Sequence, residues 1–348
     1  METRWNQFDG VRVFAMLVII ASHTGALGMY GQGSVVVSLF FVLSGFFCVQ
    51  PMIADGEERF YSVKGWLSFY ALRIVRIIPV YWLVLLFFYW ISNTAFADKT
   101  ALLSNLFFVN TYGHLWYLQH EMVCYLVAPA MVAMIGLIKK KTGANNAVMA
   151  AVLLVTGIAA SRYFFSTTWF CLLWNGEKRQ LRLGLFIIGM AAGYLIKYLK
   201  EKECVVSKCA VKCALDLVEL LLLLTVSVFT SARFLSVFDE RFADYYFGWY
   251  RPITCTLLCA LLVVCLFLNS RGIVAKLLSL PILVKFGRIT YGAYLIHFFL
   301  IEFIPLPPLK QFALVTLASY GIAYILYEWM EAPLYTFAKR KVERYCKN

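Results

Sequence analysis

The side chains best placed to do chemistry are a few ionisable residues set inside long apolar runs: Arg12 and His23, Arg73 and Arg76, Glu121, His297 and Glu302, and Glu328 with Glu331. Charged groups are costly in hydrocarbon, and where they persist they mark functional pathways. Arg12 and His23 are eleven residues apart. On a helix that spacing returns them to within roughly 20° of one face and separates them by about 16 Å along the axis. One stripe thus carries a fixed cation at one end and an imidazole at the other. It suits a long ligand with an anionic head and a reactive far end. The bland alternative is a snorkelling arginine and a packed core histidine.

Arg73 and Arg76 are spaced i, i+3 and share a helix face. Arginine forks match phosphate geometry, so with Arg12 they form a plausible phosphate site at one membrane surface. Anchoring at a cytoplasmic boundary explains the same two residues equally well. Glu121 is followed four residues on by Tyr125 and then by Pro129 on one stripe. Its carboxylate could orient an imidazole, accept from a sugar hydroxyl, or pair with an arginine such as Arg251.

The elements that must hold these residues follow from composition. Hydrophobic residues make up 62% of the 348 and charged residues 15%, against about 45–50% and 25% in soluble globules. Lipid must be the solvent. The expected class is all-α and polytopic, with about ten spans near 11–29, 34–54, 74–92, 116–138, 146–161, 183–199, 214–231, 250–268, 288–305 and 312–329. With the N-terminus inside, the inner segments hold 23 of the 32 basic residues, as the positive-inside rule demands. Both termini are therefore expected in the cytoplasm. The net charge of +13 fits this asymmetry and attraction to anionic lipid, with no role for nucleic acid. The ten cysteines mostly fall in helices or inner loops. Cys209 and Cys213 are spaced i, i+4, but no histidine or second close pair joins them except Cys204, so no metal is expected. A single integral-membrane domain over 1–348, without an appended soluble domain, is the expected organisation.

Several motifs occur in an order that resembles a known family. Phe8-Asp9-Gly10-Val11-Arg12 leads to His23, and Ser38-Leu39-Phe40-Phe41-Val42-Leu43-Ser44-Gly45-Phe46 follows. Then come Arg73, Arg76 and Pro79; Leu115-Trp116-Tyr117-Leu118 with Glu121 and Tyr125; Tyr291-Gly292-Ala293-Tyr294-Leu295-Ile296-His297; and Glu331-Ala332-Pro333. Together they resemble the acyltransferase-3 family of membrane-bound acyltransferases, which O-acylate bacterial surface polysaccharides and related carbohydrates. Gln119 and His120 depart from the small residues usual before the glutamate.

The resemblance implies an O-acyltransferase of the bacterial cytoplasmic membrane. Its donor would be a cytoplasmic acyl-CoA, acetyl-CoA first, used as substrate with no bound cofactor. Its acceptor would be a hydroxyl of a cell-surface carbohydrate or lipid-linked saccharide. Arg12, Arg73 and Arg76 would hold the CoA phosphates. His23 would act as general base or as nucleophile through an acyl-imidazole, with Glu121 orienting it or the acceptor. Tyr125, Tyr291, Tyr294 and His297 would line the acceptor path. The rival class is a transporter or flippase without acyl chemistry. It would show internal repeats, and none is evident.

Overall fold

A computed structural model describes residues 5–29, 33–54, 56–91, 98–109, 111–166, 181–204, 209–229 and 251–347. Among these the chain is helical, and no strand occurs. The helices are α1 (Asn6–Thr24), α2 (Gly33–Ala54), α3 (Val63–Ile91), α4 (Lys99–Leu106), α5 (Trp116–Thr142), α6 (Asn146–Ser166) and α7 (Leu183–Glu201). They continue as α8 (Cys209–Leu224), α9 (Arg251–Leu268), α10 (Ile273–Leu278), α11 (Pro281–Arg288), α12 (Thr290–Phe303), α13 (Pro308–Leu326) and α14 (Ala332–Lys347).

Six described stretches are long and apolar enough to cross a membrane: Val36–Ala54, Val63–Ile91, Gly113–Thr142, Asn146–Phe164, Leu183–Glu201 and Pro308–Cys346. The other four expected spans are helical over their described residues but fall short of that standard. In α1, Gln7, Asp9, Arg12 and His23 dilute the apolar run. α8 and α9 are helices of 16 and 18 residues, and α8 runs into a π-helical turn at Thr225–Phe229. α12 has only 14 residues, because Pro305 and Pro307 bar its continuation. The Gln311 amide then donates to the carbonyls of Ile301 and Ile304, at 3.0 and 2.7 Å, and satisfies that helix end.

α1 sits at the centre. It packs against α2, α10, α11, α12 and α13, and Phe8, Val11, Ala15, Met16 and Ile20 are wholly buried. Its polar residues Gln7, Asp9 and Thr24 are thus covered by protein. Around it, α2 and α7 come together at near backbone contact. A Cβ on Gly45 would lie 2.1 Å from the Phe186 carbonyl oxygen, and one on Gly189 would lie 2.2 Å from that of Val42. Small residues are what let helix backbones approach so closely when lipid supplies no hydrophobic drive.

That contact yields a stability prediction. Gly189→Val in α7 forces α2 away and is expected to cost about 1–3 kcal/mol, read as a lowered thermal midpoint of detergent-purified protein. Gly321→Ala in α13, where nothing lies within 4 Å of the new Cβ, should leave the midpoint near wild type. Equal midpoints for the two variants would contradict the α2–α7 packing.

Candidate functional site

Two clusters form at opposite ends of α1. The first is a cleft of about 760 Å³, counting space open to solvent. It brings together seven residues singled out by sequence: Arg12, Arg73, Arg76, Glu121, Tyr125, Tyr291 and Tyr294. Arg288, Ser44, Tyr117, Phe40, Phe47, Ile77, Gly287 and Thr290 complete the lining. Four arginines and one carboxylate line the cleft, so its field favours a polyanion.

The guanidinium groups are held by stacking and by ion pairs. Arg12 donates to Asp9 at 3.0 Å, one helical turn back, and lies over the Phe47 ring at 4.5 Å. Arg73 lies over the rings of Tyr125 and Phe69, at 4.7 and 5.2 Å. Such stacking fixes a planar fork without consuming all its donors. Arg76 is in electrostatic reach of Glu331, which is buried in the π-helical turn Tyr327–Glu331. Arg288 arrives by a close contact between α11 and α1. A Cβ on Gly287 would lie 2.4 Å from the Asp9 carbonyl oxygen, so only glycine lets α11 end against the start of α1.

Glu121 has all the donors one oxygen can take. Its Oε1 accepts from Tyr117 and Tyr125, each at 2.9 Å, and from Ser44 at 2.5 Å. The two tyrosines stand at i−4 and i+4 on α5, above and below the carboxylate on one face. The expectation that Glu121 orients His23 is not what this geometry brings together, since its described partners are these three hydroxyls. The side chain of Arg251, the other partner weighed, lies outside the described residues.

His23 is in the second cluster. α1 stops just beyond it, at Gly25, whose left-handed backbone (φ 69°) returns its N–H to the Ala21 carbonyl. The His23 side chain is exposed, and its ring centroid lies 5.4 Å from His297 and 5.2 Å from Phe298. His114, from the 3₁₀ turn Gly113–Leu115 that leads into α5, lies 4.8 Å from His297. His114 and His297 are buried. So is His120, edge to face with Trp116 at 5.4 Å; neither it nor His114 faces water, as a place near the outer surface would suggest.

Tyr294 joins the clusters. It lines the arginine cleft, its ring is 5.5 Å from both Tyr117 and His297, and its hydroxyl donates to the His114 carbonyl at 2.5 Å. Tyr291 donates to the Ile77 carbonyl at 2.7 Å and ties α12 to α3. Glu302 and Glu328 lie outside both clusters. Glu302 is exposed and accepts from Tyr112, while Glu328 is exposed in the π-helical turn. Among the described residues no group of three or more His, Cys, Asp or Glu has the geometry to hold a metal ion.

Sequence reasoning passed over Arg288, Ser44, Tyr117 and His114. Arg288 counted only as one more inner charge. Ser44 lay inside a quoted motif without a role. Tyr117 mirrors Tyr125 about Glu121, a signal that the same i±4 spacing contains. Nothing in the sequence pairs His114 with His297.

Comparison with known proteins bears on what these clusters do. The chain is 24% identical over 333 residues to the O-acetyltransferase OatA of Staphylococcus aureus strains NCTC 8325 and COL, an alignment that covers 85% of this chain and 50% of the relative. It is 22% identical over 325 residues to SACOL0978 of strain COL, provisionally named an O-acetyltransferase, with the same coverage. The chain thus spans about half the length of the curated relatives it matches. No solved structure matches it. The family model described as acyltransferase domain, acyltransferase-3, matches residues 5–328, and the chain belongs to that family.

Proposed function

We propose that this protein is a membrane O-acyltransferase that moves an acyl group, acetyl first, from acyl-CoA to a hydroxyl of a cell-surface carbohydrate or lipid-linked saccharide. The observation that carries the proposal is the placement of a four-arginine cleft and an exposed histidine at opposite ends of one helix. Polyphosphate binds at the first, through charge-assisted bonds from Arg12, Arg73, Arg76 and Arg288. The pantetheine arm runs past Tyr291 and Tyr294 along α1. Its extended length is comparable to the roughly 16 Å between Arg12 and His23, so the thioester reaches His23. Membership in an acyltransferase family and the names of the relatives support the chemistry.

In this reading His23 is the general base. It takes the proton from the acceptor hydroxyl as the oxygen attacks the thioester carbonyl. The C–S bond then breaks, and the imidazolium returns the proton to the departing CoA sulfur. The products are the O-acyl ester and free CoA thiol. Glu121, bonded by three hydroxyls at one carboxylate oxygen, acts by holding Tyr117 and Tyr125 at the wall of the cleft. The positive-inside bias supports ten crossings of the bacterial cytoplasmic membrane, with both termini and the arginine cleft on the inner side.

Three outcomes are expected. Replacing Arg73, Arg76 or Arg288 by Gln should weaken coenzyme A binding by about one to two decades, the loss of one charge-assisted contact worth roughly 1.5–3 kcal/mol. Arg73→Lys should recover only part, since the fork is lost. Unchanged coenzyme A affinity in folded variants would place the donor elsewhere. His23→Ala should keep coenzyme A binding and lose transfer by at least about a hundredfold, measured as thiol released from acetyl-CoA; activity within a few-fold of wild type would remove His23 from the chemistry. For topology, a membrane-impermeant thiol reagent on intact cells should spare Cys204, Cys209 and Cys346, all exposed on the protein surface, and modify Cys171, which lies outside the described residues. External labelling of Cys346 would invert the orientation.

A further inference from the structure

His297 and His114 play no part in the transfer step described above, yet both are buried beside His23 with one ring nitrogen engaged and the other bare. His297 Nδ1 lies 2.7 Å from the Tyr294 carbonyl oxygen. His114 Nε2 lies 3.2 Å from the Leu295 carbonyl oxygen. A carbonyl oxygen can only accept, so each of these nitrogens carries its proton. The opposite nitrogens, Nε2 of His297 and Nδ1 of His114, are then lone pairs. Both are buried and without a hydrogen-bond partner. Backbone carbonyls from neighbouring residues of α12 thus set the tautomer of both rings.

A buried acceptor left bare is costly, and two in one cluster call for a donor. Among the described residues these rings do not form a set of three metal ligands. The donor within reach is His23. The His23 and His297 centroids are 5.4 Å apart with their planes tilted by 50°. The nitrogens do not pair in this arrangement, but a turn of the His23 ring that faced one nitrogen to Nε2 of His297 would bring the two to about 3 Å, a hydrogen-bond distance. Phe298 walls the pair, its ring 5.2 Å from His23 and 5.0 Å from His114.

We infer that His297 is a positioning residue for the acyl-transfer step. In transfer, its Nε2 lone pair accepts an N–H bond from one ring nitrogen of His23. That fixes the tautomer of His23 and leaves the other ring nitrogen to take the acceptor's proton. The bond strengthens when His23 becomes an imidazolium and relaxes when the proton passes to the CoA sulfur. The acceptor's proton leaves with the CoA thiol, and His23 returns to its starting neutral form. His114 packs against His297, the ring centroids 4.8 Å apart and edge to face. This inference rests on His23 being the base, and the arrangement is the familiar one of a base oriented by a third group.

The test compares His297→Phe, which keeps the ring and loses the acceptor, with His297→Gln, which keeps an acceptor oxygen. Acetyl-CoA is the donor, and thiol release is followed with water and with a panel of methyl glycosides as acceptors. Coenzyme A binding is measured in parallel. His297→Phe should lower kcat by about a hundredfold while KM for acetyl-CoA and coenzyme A affinity stay within about twofold. His297→Gln should recover at least a tenth of wild-type kcat. Activity of His297→Phe within threefold of wild type, while His23→Ala is inactive, overturns the inference and spares the proposed function. Equal loss in both His297 variants, with coenzyme A binding also lost, makes His297 a packing residue and overturns it as well. A wild-type protein that releases no thiol from acetyl-CoA would instead remove the acyl-transfer reading itself.

Discussion

A helix that opens with Gln7, Asp9 and Arg12 cannot be left against lipid, and the architecture follows from covering that part of it. Unpaired charge and polarity in hydrocarbon are expensive, so α1 is enclosed by α2, α10, α11, α12 and α13. Enclosure needs close approach. At Gly10 a Cβ would lie 2.1 Å from the Leu278 carbonyl oxygen, and at Gly287 the α11 backbone meets Asp9. The same two contacts that hide the start of α1 deliver Arg288 to Arg12. Packing and chemistry are thus one constraint at this end of the molecule.

At the other end the constraint is polar. α12 is short, stopped by two prolines, and it turns Tyr291, Tyr294 and His297 toward the interior. Tyr291 fastens it to α3, and Tyr294 fastens it to the turn that carries His114. Interior hydroxyls and imidazoles in this region answer mainly to backbone carbonyls. Such networks have one low-energy arrangement when their donors are satisfied. Against Tyr291 and Tyr294, whose hydroxyls are bonded, the bare nitrogens of His114 and His297 stand out.

The arginine cleft was largely legible in the sequence. Arg73 with Arg76, Glu121 with Tyr125, and Tyr291 with Tyr294 lie at i, i+3 or i, i+4 on single helices, and helical periodicity puts each pair on a shared face without knowledge of the fold. The histidine cluster was not legible. His23, His114 and His297 come from three elements far apart in sequence, and only tertiary packing brings a 3₁₀ turn against α12. Arg288 was hidden for a related reason: its importance depends on a backbone contact at Gly287. The roughly ten spans expected from hydropathy include six that stand as long apolar helices. Of the others, α1 and α12 carry polar residues of the two clusters, and α8 and α9 are short over their described residues.

The claim that binds these observations is that one ligand spans both clusters along α1. A structure of the full chain in lipid nanodiscs with a non-transferable acyl-CoA analogue, its thioester sulfur replaced by methylene, tests it directly. The phosphates are expected within hydrogen-bond distance of Arg12, Arg73, Arg76 and Arg288, with the acyl carbonyl beside His23. An analogue bound with its acyl end away from His23, or with its phosphates outside the arginine cleft, would contradict it.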